Sequence, residues 1–520
     1  MKLSTTFLIA CVTVLSTAMA VAQAVGDYRS VGNGNWGAGA TWERWNGSTW
    51  AVTANPPAGT ETITIQSGDT VTMDVAVDIT DTLVYQGELL NDANLTVGDG
   101  GVFQHDQDAG RIPSAAWESG STLLMTGTTG VAPDNRNQAY HHIVFNTPGM
   151  LSNLNMDLDS VIIGGDIRII DTGPARWYLT SALAGDTNTV WIMGDIIMEA
   201  GQFSSNGTGN ACHLQIHHYG NTIVTGGNFA VSRGSQGSGT GSTRWYLYGD
   251  SFSMSDATTQ NSNALNAWFI FAKDGEQELN LGSGNTLTAF PIVVDSGTTL
   301  KMGLSKLRGS GRFEVLGGAA MATGEPGGID SAVVVTGNLH LDSAAAYIFN
   351  GTTGNQVTGL MLPDTVRMVV NENPDTLTLS QATYIFGPLV LRDGIFDNTI
   401  PFDLGTTGWI VFEGGDLLIG VVTSAEEGQS SVPGTFYVDQ NYPNPFNPTT
   451  TINYGLPTAG FVSAKLYNLV GQEVATLFEG QQSAGVHQLN VDGTRLPSGV
   501  YLYKIESAGT RIVKTMVLLK

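Results

Sequence analysis

Short apolar runs, some continuous and some alternating with polar residues, fill most of this chain. Examples are residues 161–163, 190–193 and 332–335, and each run ends at a turn rich in Gly, Asp or Asn. An alternation with a period of two predicts β-strands that direct one set of side chains inward. The 66 glycines and the scarcity of helical periodicity predict many turns, many strands and little helix.

A turn of Gly followed by Asp or Asn, and then by a strand, recurs along the body. Copies begin at Gly165, Gly194, Gly227, Gly249 and Gly337, with looser copies at Gly311 and Gly387. The spacing indicates a unit of roughly 22 to 33 residues, a period typical of solenoids and propellers. A propeller blade needs four strands in about forty residues, which is more than these units provide. The predicted fold is therefore all-β, a right-handed parallel β-helix (solenoid) over residues 61–423; stacked β-sandwiches are the alternative.

The N-terminus has the pattern of an export signal. Lys2 precedes an apolar run over residues 7–15, and small residues follow around Ala20 and Ala24. This pattern predicts a Sec signal peptide, residues 1–24, cleaved after Ala20 or Ala24. Lipidation at Cys11 is disfavoured because the apolar stretch continues beyond the cysteine. No later segment approaches ~18 uninterrupted apolar residues, so no membrane span is predicted.

Residues 25–60 are rich in tryptophan. Trp36, Trp42, Trp45 and Trp50 lie there among Gly and Asn. A solenoid needs its open end covered, so we interpret the segment as an N-terminal cap. The alternative is an aromatic platform for sugar rings.

The last eighty residues form a separate unit after a polar linker, residues 424–440. Residues 441–448 read NYPNPFNP, residues 468–474 read NLVGQEV and residues 496–505 read LPSGVYLYKI. The prolines require an extended or turned start, and short alternating strands punctuated by glycine follow. Residues 441–520 are therefore predicted to form a small Ig-like β-sandwich.

These motifs closely resemble the C-terminal type A sorting domain of the type IX secretion (Por) system of Bacteroidota and related phyla, a domain with a FlgD-like Ig fold. The resemblance implies Sec export, then type IX translocation to the outer cell surface or the extracellular space. It also implies that residues 441–520 contact the type IX machinery. The body more loosely resembles secreted β-helix exoproteins that carry the same tail.

Composition limits the partners of the exported protein. There are 46 acidic and 22 basic residues, a formal net charge of −24, which argues against nucleic acid. The charge is compatible with Ca²⁺, but no cofactor and no metal site is predicted. With Cys11 removed, only Cys212 remains, so no intramolecular disulfide is available.

Two clusters are candidates for chemistry. Residues 212–218 read CHLQIHH; a strand places His213 and His217 on one face, ~13 Å apart, too far to share a metal without ligands such as His141 and His142 from an adjacent coil. We interpret the cluster as polar surface residues with a buried cysteine.

The second cluster is a repeated Arg-Trp-Tyr-Leu, residues 176–179 and 244–247. Stacked coils would align the copies as a ladder. Trp177, Tyr178, Trp245 and Tyr246 are thus the candidate carbohydrate-binding residues, and a ladder with a purely structural role is the alternative.

The carboxylates do not form an obvious catalytic pair. Asp residues occur singly at turns, except for Asp157 and Asp159, and no local hydrolase or nucleotide-binding motif occurs. The sequence favours a secreted or cell-surface adhesive, polysaccharide-binding or structural protein over an enzyme. The alternative function is a polysaccharide lyase or glycoside hydrolase whose site is assembled across coils.

Overall fold

The computed structural model describes residues 23–180, 187–206, 213–232, 241–259, 266–282, 286–288, 290–405, 407–418, 436–441, 443–468 and 472–520. The chain divides into two compact units between residues 422 and 423. Most of the predicted signal peptide and most of the predicted linker lie outside the described residues.

The first unit is a β-solenoid of about 14 turns, and one 19-stranded sheet, the long sheet, follows it from end to end. Neighbouring strands in the long sheet are parallel, except that Trp42–Trp45 is antiparallel to the strands on either side of it. In spatial order the strands are Trp50–Val52, Trp42–Trp45, Tyr28–Ser30, Ile63–Ile65, Thr82–Tyr85, Val102–His105, Thr122–Met125, His142–Asn146, Ile167–Asp171, Ile196–Met198, Thr222–Val224, Ser251–Met254, Gly275–Asn280, Thr298–Lys301, Ala320–Thr323, Ala346–Phe349, Met368–Asn371, Pro388–Leu391 and Trp409–Phe412.

Shorter parallel sheets form the other sides of the coils. The eight-stranded sheet contains Val161–Ile163, Thr187–Ile192, His213–His218, Ser242–Leu247, Ala267–Phe271, Pro291–Val294, Arg312–Val315 and Leu339–Leu341. The five-stranded sheet contains Leu154–Asn155, Arg176–Thr180, Gln202–Asn206, Asn228–Ala230 and Thr258–Thr259.

The remaining solenoid sheets form further sides of the coils, before and after the five-stranded sheet in sequence. They comprise Gly34–Asn35, Thr70–Thr72 and Glu88–Leu90; Val77–Ile79, Leu95–Val97 and Ala116–Trp117; Thr286–Thr288, Lys306–Gly309 and Val333–Val335; Gln356–Val357, Thr376–Thr378, Ile395–Asp397 and Asp416–Leu418; and Thr365–Val366, Thr383–Ile385 and Phe402–Asp403. The described helices are one α-helical turn, Ile329–Ala332, and two 3₁₀ turns, Gly39–Thr41 and Asp92–Asn94. No helix among the described residues is long and apolar enough to cross a membrane.

The coils change length along the solenoid. Ile63, Leu83, Phe103, Leu123 and Ile143 occupy the same register position, one coil every 20 residues. Farther along, equivalent positions lie up to 30 residues apart. All five of these side chains are fully buried. Each contributes about 1.5–3 kcal/mol relative to an exposed position, so a column of inward apolar residues stabilises the whole stack.

One corner of the solenoid is built from a column of Gly-Asx turns. The side-chain oxygen of Asp166 accepts a hydrogen bond from the backbone N–H of Asp195 at 2.8 Å, and that of Asp195 accepts one from Asn221 at 2.7 Å. Asn221 in turn accepts one from the N–H of Ser251 at 2.9 Å. Each coil therefore satisfies a backbone donor of the next one, and these bonds fix the register of the long-sheet strands that follow.

The glycines before these Asx residues lie in a column without room for side chains. A Cβ on Gly220 would come under 3.0 Å from the carbonyl oxygen of Gly194, and one on Gly249 would do the same to Gly220. Glycine is therefore required by the close approach of successive backbones.

The structure corrects the repeat at Gly227 and at Gly337. The copy equivalent to Gly194 is Gly220-Asn221, whereas Gly227-Asn228 opens the next strand, which belongs to the five-stranded sheet. Gly337 likewise precedes a strand of the eight-stranded sheet. The same dipeptide occurs at several different corners of the coil. A tight corner favours Gly, and a backbone N–H group on the next coil favours an Asp or Asn side chain that can accept it.

The N-terminal segment is part of the solenoid. Tyr28–Ser30 adds a parallel strand to the long sheet, and two antiparallel strands continue beyond it. Trp36 and Trp42 are fully buried with their rings 4.9 Å apart, and the indole N–H of Trp36 donates to the carbonyl of Pro57. Two of the four clustered tryptophans thus belong to the buried core of the first coils.

The second unit consists of two antiparallel sheets around their own core. One sheet contains Tyr437–Val438, Thr449–Leu456 and Gly485–Asp492; the other contains Glu473–Gln482, Gly460–Asn468, Gly499–Ser507 and Thr510–Leu518. The predicted all-β class, with a parallel solenoid and a small C-terminal β unit, is confirmed.

The prolyl segment of this unit is bound to its later strands. The hydroxyl of Tyr503 donates to the carbonyl of Asp439 at 2.7 Å and accepts the backbone N–H of Asn441 at 3.0 Å. Burial raises the pKa of Tyr503 to about 12, so the hydroxyl stays a donor at neutral pH. Phe446 is buried, and its N–H donates to the carbonyl of Val517 at 2.9 Å. The motifs noted in the sequence therefore meet in space.

The glycine column can be tested with a matched pair of substitutions. We expect Gly220→Ala to lower the free energy of unfolding of the solenoid by about 1–3 kcal/mol, because its Cβ would overlap the Gly194 carbonyl. Gly149→Ala is the control, since its Cβ would lie 3.8 Å from the nearest atom. Urea unfolding followed by tryptophan fluorescence reports the solenoid alone, because all 10 tryptophans lie there. Equal midpoints for the two variants would refute a close-packed corner.

His105 should make the solenoid acid-sensitive. Its ring is buried beside that of Tyr85, and burial lowers its pKa from 6.5 to about 4. The unfolded chain binds a proton that the folded chain excludes, so stability is full above pH ~6.5 and roughly 3 kcal/mol is lost as the pH falls to the folded pKa. His105→Met, which matches its register neighbour Met125, should reduce the difference between the urea midpoints at pH 7 and pH 4.5. An unchanged difference would contradict this assignment.

Candidate functional site

The outward face of the eight-stranded sheet carries an unusual run of rings. The strand register places Trp191, His217 and Tyr246 side by side on three successive coils. Two residues farther along the same coils come Met193, Tyr219 and Tyr248. We call these six residues the aromatic platform. The residues between the two rows, such as Ile192, are buried, because alternate residues of a strand point to opposite faces.

The platform rings are stacked on one another along the solenoid. The ring centroids of His217 and Tyr246 lie 5.0 Å apart with planes 7° from parallel, and those of Tyr219 and Tyr248 lie 4.8 Å apart at 21°. Trp191 continues the first row at 6.2 Å from His217. The spacing follows from the 4.7–4.9 Å distance between adjacent strands, which brings successive rings close to stacking contact.

Stacking determines what the platform presents to solvent. Inner rings cover each other's faces, so they offer edges and polar atoms. Trp191, at the end of its row, has the half-exposed Ile162 as its outer register neighbour. The surface therefore combines an apolar ridge with imidazole, phenol and indole hydrogen-bonding groups at fixed positions.

His217 is held neutral at physiological pH. Partial burial lowers its pKa, and its Nδ1 lies 3.2 Å from the hydroxyl of Tyr248. Burial also raises the pKa of Tyr248. The two rings thus form an uncharged hydrogen-bonded pair that links the two rows of the platform.

Arg244 borders the platform, two residues before Tyr246 on the same strand. The guanidinium of Arg244 lies 5.2 Å from the ring centroid of Trp268, and that of Arg312 lies 5.1 Å from it. Arg312 also pairs with Glu314 at 2.5 Å, whereas Arg244 is exposed. Cation–π contact with the indole restrains the exposed guanidinium beside the rings.

The sequence-predicted carbohydrate residues lie in different environments. Trp177 and Trp245 are fully buried, whereas Tyr178 and Tyr246 are half-buried. Trp177 belongs to the five-stranded sheet and Trp245 to the eight-stranded sheet, so the expected ladder of the two copies does not form. Of the four residues, Tyr246 is the one that lies on the platform.

Arg176 of the first copy is bound inside the solenoid. Its side chain is buried, and it donates to the carbonyl of Phe203 at 2.9 Å, to Gln202 Oε1 at 2.7 Å and to Asn228 Oδ1 at 2.6 Å. The guanidinium therefore joins three successive strands of the five-stranded sheet.

The histidine cluster divides between the faces as its strand predicts. His213 is exposed, His217 is half-buried and His218 is fully buried, with Nε2 at 3.0 Å from the carbonyl of Gly194. Cys212 lies outside the described residues. His141 immediately precedes, and His142 begins, the strand His142–Asn146 of the long sheet, so they are not register neighbours of this cluster. Within the described ranges, no three His, Cys, Asp or Glu side chains are placed to hold a metal ion.

The turn carboxylates are largely engaged in structure. Asp157 has a left-handed φ of 51° and pairs with Arg136, and the hydroxyl of Ser160 donates to Asp159 Oδ1 at 3.0 Å. Asp166 and Asp195 belong to the corner column. These carboxylates serve as backbone and side-chain partners at turns.

Sequence reasoning missed most of the platform, although a signal was present. The three strands end as WIMGD at residues 191–195, HHYGN at 217–221 and YLYGD at 246–250. Alignment on the Gly-Asx turn would have placed their large side chains in two columns. The repeat predicted from the sequence used Gly227-Asn228 as the copy that follows Gly194, although the equivalent turn is Gly220-Asn221. This choice hid the alignment of the three strands.

Comparison with known proteins identifies the second unit. Residues 440–519 match the family model described as a secretion system C-terminal sorting domain. The protein thus carries a type IX sorting domain, which implies interaction with the type IX machinery and export to the cell surface or extracellular space. No curated protein and no solved structure matches the chain.

Deletion of residues 441–520 should leave the solenoid in the periplasm, because the sorting unit is the part that the type IX machinery recognises. Cell fractionation and surface immunolabelling would locate the truncated chain. Val513→Thr in the full chain, an exposed position of the last strand, is the control and should reach the surface normally. Normal surface delivery of the truncated chain would contradict the sorting role.

Proposed function

We propose that this type IX-exported β-solenoid is a polysaccharide-binding protein, adhesive or structural in role, that contacts its polymer through the aromatic platform. The observation that supports this most directly is the in-register row of Trp191, His217 and Tyr246 on an outward face. The sheet already packs on an apolar core with its inner side, so its stability does not require a row of large rings on the outer side.

The platform has the chemistry that a sugar polymer requires. Sugars combine C–H groups that pack on aromatic surfaces with hydroxyls that need both donors and acceptors. Tyr219 and Tyr246 supply hydroxyls, His217 supplies an imidazole, and the neighbouring Arg244 supplies fixed donors. Stacking already restricts the rings, so less side-chain entropy is lost on binding.

The expected mode of binding is weak contact repeated along a polymer. The platform follows the sheet as an open surface, so each sugar unit would be only partly enclosed. Several such contacts on one chain, or on many copies at a cell surface, raise the effective affinity.

The platform chemistry gives no support to the enzymatic alternative. A glycoside hydrolase uses two carboxyl groups about 5 to 10 Å apart. None of the six platform residues is acidic. Binding without bond cleavage is therefore the function that these residues favour.

The double substitution His217→Ala/Tyr246→Ala should lower affinity for the recognised polymer at least tenfold. Mature full-length protein would be tested for retention on a panel of plant, algal and bacterial polysaccharides, with release of reducing or unsaturated ends followed in parallel. Trp409→Ala removes an exposed indole at the far end of the long sheet and is the matched control, with 54% exposure.

Equal tryptophan-fluorescence unfolding midpoints would show that the double variant is folded. Retention of the wild type by no polymer, or equal losses for the double variant and the control, would overturn the proposal. New reducing or unsaturated ends would show an enzyme instead.

A further inference from the structure

A concave surface lies near the N-terminal end of the solenoid, separate from the aromatic platform. It is a cleft of about 290 Å³ on the outward face of the long sheet. Small-molecule sites in proteins occupy about 300–1,000 Å³, so the cleft is of the size of a small site. It is therefore suited to one small ring rather than to a length of polymer.

The floor of the cleft is formed by three successive strands. Thr64, Val84 and Gln104 occupy one register row, so their side chains point outward together. Gln86 and Asp106 lie two residues farther along the last two of these coils. The floor thus has one apolar side chain surrounded by hydroxyl, amide and carboxylate groups.

Hydrogen bonds orient the floor amides. Gln86 Nε2 donates to Asp106 Oδ2 at 2.7 Å, and Gln104 Nε2 donates to Thr126 Oγ1 at 3.1 Å. Thr126 Oγ1 donates to Asp106 Oδ1 at 2.8 Å. With the amide nitrogens engaged inside the protein, the amide carbonyl oxygens remain as acceptors for ligand hydroxyls.

Trp50 forms a side wall of the cleft. The guanidinium of Arg29 lies 4.7 Å from its ring centroid, and Arg29 is itself fixed by Glu43 at 2.6 Å. Trp45 packs beside Trp50 with the ring centroids 5.4 Å apart. The indole is therefore held in one orientation before any ligand arrives, which lowers the entropy lost on binding.

The charge of the lining selects the ligand. Asp27 and Asp106 line the cleft, whereas none of its lining residues is a lysine or arginine. Asp27 is buried, and that burial raises its pKa. A ligand with a carboxylate or sulfate would meet like charge, whereas a neutral ligand rich in hydroxyls finds acceptors on the floor and an aromatic wall.

We infer that this cleft is a binding site for a single neutral pyranose ring, such as an uncharged terminal unit of a glycan. The ring packs against Trp50 and above Val84, and its hydroxyls donate to Gln86, Gln104 and Asp106. The inference rests on residues separate from the platform and stands independently of the function proposed for it.

The test is saturation-transfer NMR of the mature full-length protein with methyl glucoside, methyl galactoside and methyl mannoside, with methyl glucuronide as the charged comparison. At least one neutral glycoside should show transfer that falls at least fivefold in Trp50→Ala. Because Trp50 packs against Trp45 and Arg29, its loss could also disturb the first coils.

Two further variants separate folding from binding. Val84→Phe fills the cleft from its floor, and Gln104→Met removes one acceptor at nearly constant volume; both should also lose the signal at wild-type unfolding midpoints. His217→Ala/Tyr246→Ala should keep it, which distinguishes the cleft from the platform. No transfer from any neutral glycoside, full transfer in Val84→Phe, or equal transfer to the glucuronide would overturn the inference.

Discussion

The outward surfaces of the solenoid depend on the register between successive coils, and from Asp166 to Ser251 side chains of the Gly-Asx corner help to fix that register. There, side-chain oxygens of Asp166, Asp195 and Asn221 each accept a backbone N–H from the next coil. The glycines beside them allow backbones to approach where no Cβ would fit. Because the side-chain period of a strand is two, a slip of one residue at this corner would turn the apolar column outward and the outward face inward.

The aromatic platform is a direct product of that register. Parallel strands repeat every 4.7–4.9 Å, so equivalent outward rings on adjacent coils stack at nearly the same distance. The 5.0 Å separation of His217 and Tyr246 is close to this repeat. In the same way, the three floor strands of the N-terminal cleft line up Thr64, Val84 and Gln104. Both surfaces are assembled from residues far apart in sequence, which strand pairing between coils holds in line.

The sequence predicted the class of structure better than the position of individual side chains. Strand periodicity and Gly-Asx turns were sufficient for a parallel solenoid, and the prolyl and glycyl motifs for a separate C-terminal β unit. The orientation of Trp177 and Trp245 was not predictable from the repeated Arg-Trp-Tyr-Leu, because identical tetrapeptides lie on different sheets. Both indoles are buried because each lies on the inward-facing set of alternate residues of its strand. Which set faces inward is decided by the turns elsewhere in the coil. The cleft was not predictable, because it forms where the antiparallel strand Trp50–Val52 lies beside strands of later coils. No local sequence pattern encodes that arrangement.

The strand Thr510–Leu518 joins residues from both ends of the sorting unit. Thr510–Leu518 lies at the edge of its sheet, and the prolyl segment bonds to it through Phe446 and Val517. Without residues 510–518 the prolyl segment would lose this backbone hydrogen bond. The first and the last segments of the sorting unit therefore depend on each other for their position, although more than sixty residues separate Phe446 from Val517 in the sequence.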